Sequence, residues 1–218
     1  MTRSTTTRIC ATLGALGLAA TAAVGAATTA SASTGTAAAA PAQAAVAAAT
    51  SGDVVGIPSL DVSRYLGSWY QYAAVPAVYE LQCAKDAKAQ YSLTSPTTVK
   101  VVNTCSTWLG RTSSVTGEAK VLNAPASSEL NVSFLKIGGS WLHFGGANYV
   151  VVGVGSSYDW AVVGDPSHAS GFVLSRTPNL TADQLTQVRA TVVGAGYDLS
   201  SFRLTPQTGG QSSRGTLG

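Results

Sequence analysis

The constraint that most narrows what this chain can fold into is a two-residue alternation of apolar and polar side chains that recurs across its middle. Ala87, Ala89, Tyr91 and Leu93 alternate with Lys88, Gln90, Ser92 and Thr94. Val115, Gly117, Ala119 and Val121 alternate with Thr116, Glu118 and Lys120, and Leu130, Val132 and Phe134 with Asn131 and Ser133. Successive side chains of a strand point to opposite faces, so each segment presents one apolar face that must turn inward with the others. Eight runs rich in Val, Tyr, Phe, Trp and Thr are parted by Gly, Pro, Asn and Ser: 68–75, 85–93, 98–104, 113–122, 129–136, 148–154, 159–164 and 172–176. That spacing predicts an all-β antiparallel barrel or sandwich.

One segment breaks the alternation. Thr181 and Gln184 have the spacing of a capping box, Leu180 and Leu185 that of a hydrophobic staple, and Leu185, Val188 and Val192 form a stripe at helical spacing that Gly194 and Gly196 end. A single α-helix is predicted here, lying against the outside of the sheet, with Phe202 and Leu204 in a short final strand.

The flanks differ in composition from this body. Met1 to Arg8 is short and basic, Ile9 to Ala27 is an Ala/Leu/Gly run, and Ala30-Ser31-Ala32 offers a small-x-small cleavage site, with Ala42-Gln43-Ala44 a second candidate. Residues 1–32 therefore read as a signal peptide for export, because threonines and glycines weaken the run as a membrane span. Residues 33–56 read as a disordered Ala/Thr-rich linker, 57–206 as the folded domain, and 207–218, rich in Gly, Ser and Thr, as a flexible tail. Cleavage removes Cys10 and leaves Cys83 and Cys105. An even pair in an exported, extracytoplasmic chain points to a disulfide, and no second Cys pair or His cluster supports a metal site. The formal charge of +3 falls by two, to +1, when Arg3 and Arg8 are lost. With only 11% charged residues, the chain has neither the basic surface of a nucleic-acid binder nor the composition of an acidic disordered protein.

Two blocks resemble a known family. Gly67-Ser68-Trp69-Tyr70, preceded by Asp61, Arg64, Tyr65 and Leu66 and followed by Ala73, Pro76, Tyr79 and Glu80, is similar to the G-x-W-Y opening strand of lipocalins. Trp160 to Pro166, followed by Phe172 to Pro178 with Arg176, resembles the late strands and arginine of the bacterial and apolipoprotein-D-like branch. The family's middle T-D-Y motif is missing, and Val163-Gly164-Asp165-Pro166 stands in that region. The resemblance spans residues 61–206. It implies an eight-stranded up-and-down barrel with the helix outside, closed at one end and open at the other, around a cavity for a small apolar ligand. It also implies that Trp69 and Arg176 meet at the closed end beside Gly67, a structural rather than catalytic role.

The inward positions include many small residues, among them Ala73, Ala87, Ala89, Gly117 and Ala119, so the barrel cannot fill itself. The expected ligand-binding residues are Ala73, Ala89, Tyr91, Ala119, Val121, Val132, Phe134, Trp141, Tyr149 and Trp160. Lys85, Lys88, Arg111 and Lys136 are candidates for a ring at the mouth that meets an acidic head group.

Other chemistries lack support. No G-x-S-x-G, H-E-x-x-H or P-loop pattern is present, and Gly153-Val154-Gly155 lacks the rest of a dinucleotide turn. His143 and His168 stand alone, and His143 is a candidate haem ligand only by the resemblance, since some lipocalins bind haem through one histidine. The expected function is therefore non-enzymatic. It is that of a secreted carrier of a small hydrophobic molecule such as a lipid or fatty acid, with no cofactor, no metal and no nucleic acid, and with peripheral membrane contact for ligand exchange. Two alternatives are a lipid-modifying enzyme of isomerase type on the same scaffold, and a protein- or cell-surface-binding module that uses the mouth loops.

Overall fold

A computed structural model describes residues 54–218. The expected signal peptide, 1–32, and residues 33–53 of the expected linker lie outside the described residues. The chain opens with a four-residue helix, α1 (Val62–Tyr65), capped by the Asp61 side chain, which accepts from the Arg64 N–H. The strands that follow are β1 (Gly67–Ala74), β2 (Cys83–Ser95), β3 (Thr98–Thr107), β4 (Thr112–Val121) and β5 (Glu129–Ser133). After these come a small hairpin, β6 (Lys136–Ile137) and β7 (Ser140–Trp141), then β8 (Tyr149–Val154), β9 (Trp160–Gly164) and β10 (Gly171–Ser175). Helix α2 (Ala182–Gly194) and strand β11 (Arg203–Leu204) complete the order.

All pairings are antiparallel, and β10 pairs with β1, so β1 to β5 and β8 to β10 close on themselves as an eight-stranded barrel. β11 lies outside, on β1, while β6 and β7 pair only with each other. Seven of the eight predicted runs match barrel strands closely. The run predicted over 129–136 ends early at Ser133, because the chain leaves the barrel for the β6–β7 hairpin.

Two apolar clusters result. The inner one holds Trp69, Tyr91, Val101, Ala119, Leu130, Val151, Ala161, Val163 and Leu174. The outer one lies under α2 and contains Tyr72, Ala73, Trp160, Val162, Val173, Val188, Val192 and Phe202. The predicted capping box of Thr181 and Gln184 is present. Helix α2 approaches the sheet closely because residue 153 is glycine: a Cβ there would lie 2.5 Å from Thr191 Cγ2.

The disulfide joins Cys83 in β2 to Cys105 in β3, with their Cα atoms 5.6 Å apart. Its loop spans 22 residues, a length that constrains the unfolded chain by about 3 kcal/mol on the chain-entropy account.

The flanks are more ordered than their composition predicts. Val54 packs on the outer cluster and the Ile57 N–H donates to Val151 O at 2.9 Å, so the expected linker is already docked by residue 54. Residues 207–218 are not a flexible tail. β1 and β2 pair only from Gly67–Tyr91 to Tyr70–Lys88 and then diverge, which leaves two strand edges unpaired. Gln207 fills the gap, its Nε2 donating to Gln71 O at 2.8 Å and Ala87 O at 3.1 Å, while the Asp86 N–H donates to Pro206 O at 2.9 Å. Leu217 is buried, and its carbonyl accepts from Arg189 Nε at 2.7 Å. Strand edges need backbone partners whatever side chains supply them, so a Gly/Ser-rich segment serves.

The closed end is built as the motif implies. The Arg176 guanidinium carbon stands 3.7 Å from the centroid of the Trp69 ring, which is wholly buried. Nη1 donates to Ser68 O and Nη2 to Arg64 O, both at 2.7 Å, and Nε to Tyr158 O at 3.3 Å. The indole Nε1 donates to Tyr65 O at 2.8 Å. Gly67 turns the chain from α1 into β1 at φ 90°, where a side chain would be strained. Arg176→Ala removes the cation–π contact and three charge-assisted hydrogen bonds, so it is expected to lower stability by about 3 kcal/mol. Urea unfolding checks this: the midpoint should fall with an unchanged slope, and Arg176→Lys should recover only part of the loss.

Candidate functional site

The inner faces of the strands do not meet across the barrel axis. They enclose a cavity of about 670 Å³. β2 contributes Ala87, Ala89 and Tyr91, β3 contributes Val99, Val101 and Asn103, β4 contributes Val115, Ala119 and Val121, and β5 contributes Leu130 and Val132. Phe172 and Leu174 of β10 and Tyr65 of α1 complete the wall. The ring of Phe134 lies over Gly117, where a Cβ would come within 2.7 Å of it. A glycine on β4 thus makes room for an aromatic from the far side of β5.

Of the ten residues expected to touch a ligand, Ala89, Tyr91, Ala119, Val121, Val132, Phe134 and Tyr149 line this cavity. Ala73, Trp141 and Trp160 do not. A β-bulge between Gln71 and Ala73 reverses the facing of β1: Gln71 stays in the cavity while Ala73 joins the outer cluster with Val173. In β9 every residue of Trp160–Gly164 is buried, so alternation gives no sign of facing. Ala161 and Val163 turn inward, and Trp160 packs outward beneath α2. Trp141 belongs to the β6–β7 hairpin, where Lys136 Nζ lies 5.1 Å from its ring centroid.

The expected basic ring at the mouth is not formed. Lys85 pairs with Asp86 at 3.6 Å and donates to Thr208, Lys88 lies 4.5 Å over Tyr70, Lys136 sits on Trp141, and Arg111 is exposed in the β3–β4 turn. Of these four only Lys88 lines the cavity, and the acidic Glu80 lines it as well. Glu80, in the 3₁₀ turn Val78–Glu80, is half-buried beside Gln71, whose Nε2 donates to it at 3.4 Å. Burial raises the Glu80 carboxyl above its ordinary range, and the Gln71 hydrogen bond offsets part of that rise. His143 faces away from the cavity. Its Nδ1 meets Asn131 Oδ1 at 3.0 Å and its Nε2 meets Glu118 Oε1 at 3.2 Å, which leaves neither nitrogen for a haem iron.

The deep end of the cavity carries a feature that pattern reading missed. Tyr65 from α1, Tyr91 from β2 and Tyr149 from β8 converge there: Tyr149 Oη lies 2.8 Å from Tyr65 Oη and 3.1 Å from Tyr91 Oη. The Tyr65 and Tyr91 rings stack with centroids 5.8 Å apart, and Tyr149 meets Tyr91 edge-on. Burial pushes all three phenols up, Tyr91 to about 12, so each hydroxyl keeps its proton. Half-way along the wall, Asn103 Oδ1 is buried without a hydrogen-bond partner among the described residues. Tyr91 and Tyr149 were expected in the cavity singly, and Tyr65 stood only in the opening motif, one helical turn before Trp69. Convergence of three hydroxyls from distant elements leaves no local pattern.

The profile of the Lipocalin-like domain matches residues 60–207, which include every barrel strand and α2. The chain is 30% identical over 155 residues to temperature-induced lipocalin-1 of Arabidopsis thaliana, covering 70% of this chain and 82% of that one. It is likewise 30% identical over 157 residues to the outer membrane lipoprotein Blc of Escherichia coli, covering 72% and 84%. Insecticyanin of the tobacco hornworm Manduca sexta shares the fold, with a TM-score of 0.55 at 17% identity over 75% of this chain and 93% of that one. With the closed barrel, the outer helix and the Trp69–Arg176 floor already in place, these matches settle the class: the protein belongs to the lipocalin family. Membership of the family supports binding of small hydrophobic molecules.

The tyrosine cluster makes stability depend on alkaline pH. Between the ordinary tyrosine value of 10.0 and about 12, the unfolded chain releases a proton that folded Tyr91 retains, so stability falls as pH rises through that window. Tyr91 alone accounts for roughly 2–3 kcal/mol, fully present below pH 10 and lost above 12. Urea midpoints measured near pH 9 and near pH 11 should therefore differ, and Tyr91→Phe should reduce the difference without abolishing it, because Tyr65 and Tyr149 are raised as well.

Proposed function

We propose that this protein is an exported carrier that holds a small lipid-like molecule in its barrel and acts without catalysis. The observation that carries the reading is the cavity: about 670 Å³, walled mainly by Val, Leu, Ala and aromatic rings, with its floor sealed by Trp69 and Arg176. Its size falls within the range usual for small-molecule sites, and its lining has few polar groups. Transfer of about ten methylenes from water contributes ~8 kcal/mol, which sets an affinity of micromolar order as the most such a chain gains from burial alone. Export is supported by the N-terminal pattern and by the Cys83–Cys105 disulfide, which persists in oxidising compartments. The alternative of lipid-modifying chemistry through a cysteine finds both barrel cysteines joined to each other.

Filling the cavity tests this reading. Ala119 is buried in the wall, opposite Val132 on β5. Ala119→Phe should cut binding of an uncharged fluorescent probe at least tenfold while near-UV circular dichroism is kept. Unchanged probe affinity would place the bound molecule somewhere other than the barrel.

Loading from a lipid surface accords with the rim. The loops at the open end expose Val78, Tyr79 and Leu81, Trp108 and Leu109, and Leu135 and Ile137, a concentration of apolar side chains around the opening. Trp108 Nε1 donates to Leu81 O at 2.9 Å, so two of these loops are tied together. Apolar patches of this kind mark surfaces that meet another apolar phase, and here the patch is continuous with the cavity mouth. Flotation with neutral phosphatidylcholine vesicles should carry the protein upward, and Leu109→Asp with Ile137→Asp should reduce the bound fraction at least tenfold. Failure of the wild-type protein to float would instead favour a protein partner for these loops.

A further inference from the structure

The carrier reading leaves open which head group the cavity accepts, and the polar atoms inside it narrow the choice. Tyr65, Tyr91 and Tyr149 bring three O–H donors to the deep end. The two contacts between them use one donor each, and no other acceptor among the described residues takes a tyrosine proton from this cluster. One O–H is therefore left over, whichever way the hydroxyls rotate, at a place walled by apolar groups. A buried donor without an acceptor is costly, so the deep end is matched to a ligand bearing an oxygen acceptor there.

We infer that the tyrosine cluster is a recognition site for an uncharged oxygen, such as that of an alcohol, ketone or ester, on the inner end of an otherwise apolar ligand, and that the cavity selects against free carboxylates. This rests on the carrier reading of the same cavity. The selection follows from both orientations of an acid. With its head inward, an ionised carboxylate would be buried against a single hydroxyl donor. The Arg176 cation does not line the cavity: the Trp69 ring lies against the guanidinium, and Nε, Nη1 and Nη2 each donate to a backbone carbonyl. With its head outward, the acid would meet both Glu80 and Lys88 in the cavity lining, and the Lys88 ammonium is already held over the Tyr70 ring, 4.5 Å from its centroid. An uncharged oxygen avoids the cost of burying a charge and satisfies the spare hydroxyl.

Competition against an uncharged fluorescent probe tests the inference, with dodecan-1-ol, dodecan-2-one and ionised dodecanoate as matched competitors. The expected result is that the alcohol and ketone displace the probe at concentrations at least tenfold below the acid. The triple variant Tyr65→Phe, Tyr91→Phe, Tyr149→Phe keeps the three rings and removes every hydroxyl together, so no partner is left unmatched. Its affinity for the alcohol should fall about tenfold further than its affinity for the probe. Should that variant fold poorly, the carbonyl stretch of dodecan-2-one bound to the wild-type protein gives a second readout. It should move to lower wavenumber than in hexane, as a hydrogen-bonded carbonyl does. Equal or tighter binding of dodecanoate, an unchanged alcohol affinity in the triple variant, or an unshifted carbonyl would overturn the inference and leave the carrier reading standing. Absence of probe binding to the wild-type protein would overturn both.

Discussion

The contact on which the rest depends is a guanidinium laid on an indole. Arg176 comes from the end of β10 and Trp69 from the start of β1, the pair of strands whose hydrogen bonds close the cylinder. The arginine also donates to the carbonyls of Arg64 and Ser68, so one cation ties α1, β1 and β10 together at a single point. Without that plug, the inner apolar faces would be open to water at both ends, and a cavity open at both ends gives a hydrophobic ligand much less burial. The same contact explains why Tyr65 lies where it does. The indole Nε1 holds the Tyr65 carbonyl, and the stacked rings of Tyr65 and Tyr91 then form the bottom of the cavity just above the floor.

The interior is left unfilled for a reason visible in the side chains. The β2 and β4 strands bring alanine and glycine to their inner faces at 87, 89, 117 and 119, and only Phe134 reclaims part of that volume. The sheet is nonetheless well supported from outside, where Trp160, Val162, Val173, Val188 and Val192 form a second dry layer beneath α2. Stability and vacancy are thus divided between two faces of the same strands. A protein that packed only the inner face would have to choose between them.

Strand identity and facing were legible in the sequence wherever one face met water. In β2, β4 and β5 the polar partners Lys88, Glu118 and Asn131 mark the outside, and the cavity residues Ala89, Tyr91, Ala119, Val121 and Val132 followed from them. The same reasoning failed where both faces are dry. Trp160-Ala161-Val162-Val163 has no polar residue to set the phase, and the bulge after Gln71 shifts the phase within one strand. The ordered C-terminal segment was hidden for a different reason: Gln207 and the backbone near Pro206 serve strand edges, a task that composition does not report. The tyrosine cluster unites positions 65, 91 and 149 through the closure of the barrel, so it belongs to tertiary structure alone.

The central claim is that a dry, vacant, apolar chamber lies inside the closed barrel above the Trp69 floor. Diffraction from crystals held under xenon pressure tests it directly, because xenon enters apolar voids of sufficient size and scatters strongly. The account predicts xenon density among Val101, Ala119 and Leu130 with little movement of their side chains. An interior that takes up no xenon because those side chains meet across the barrel axis would contradict it.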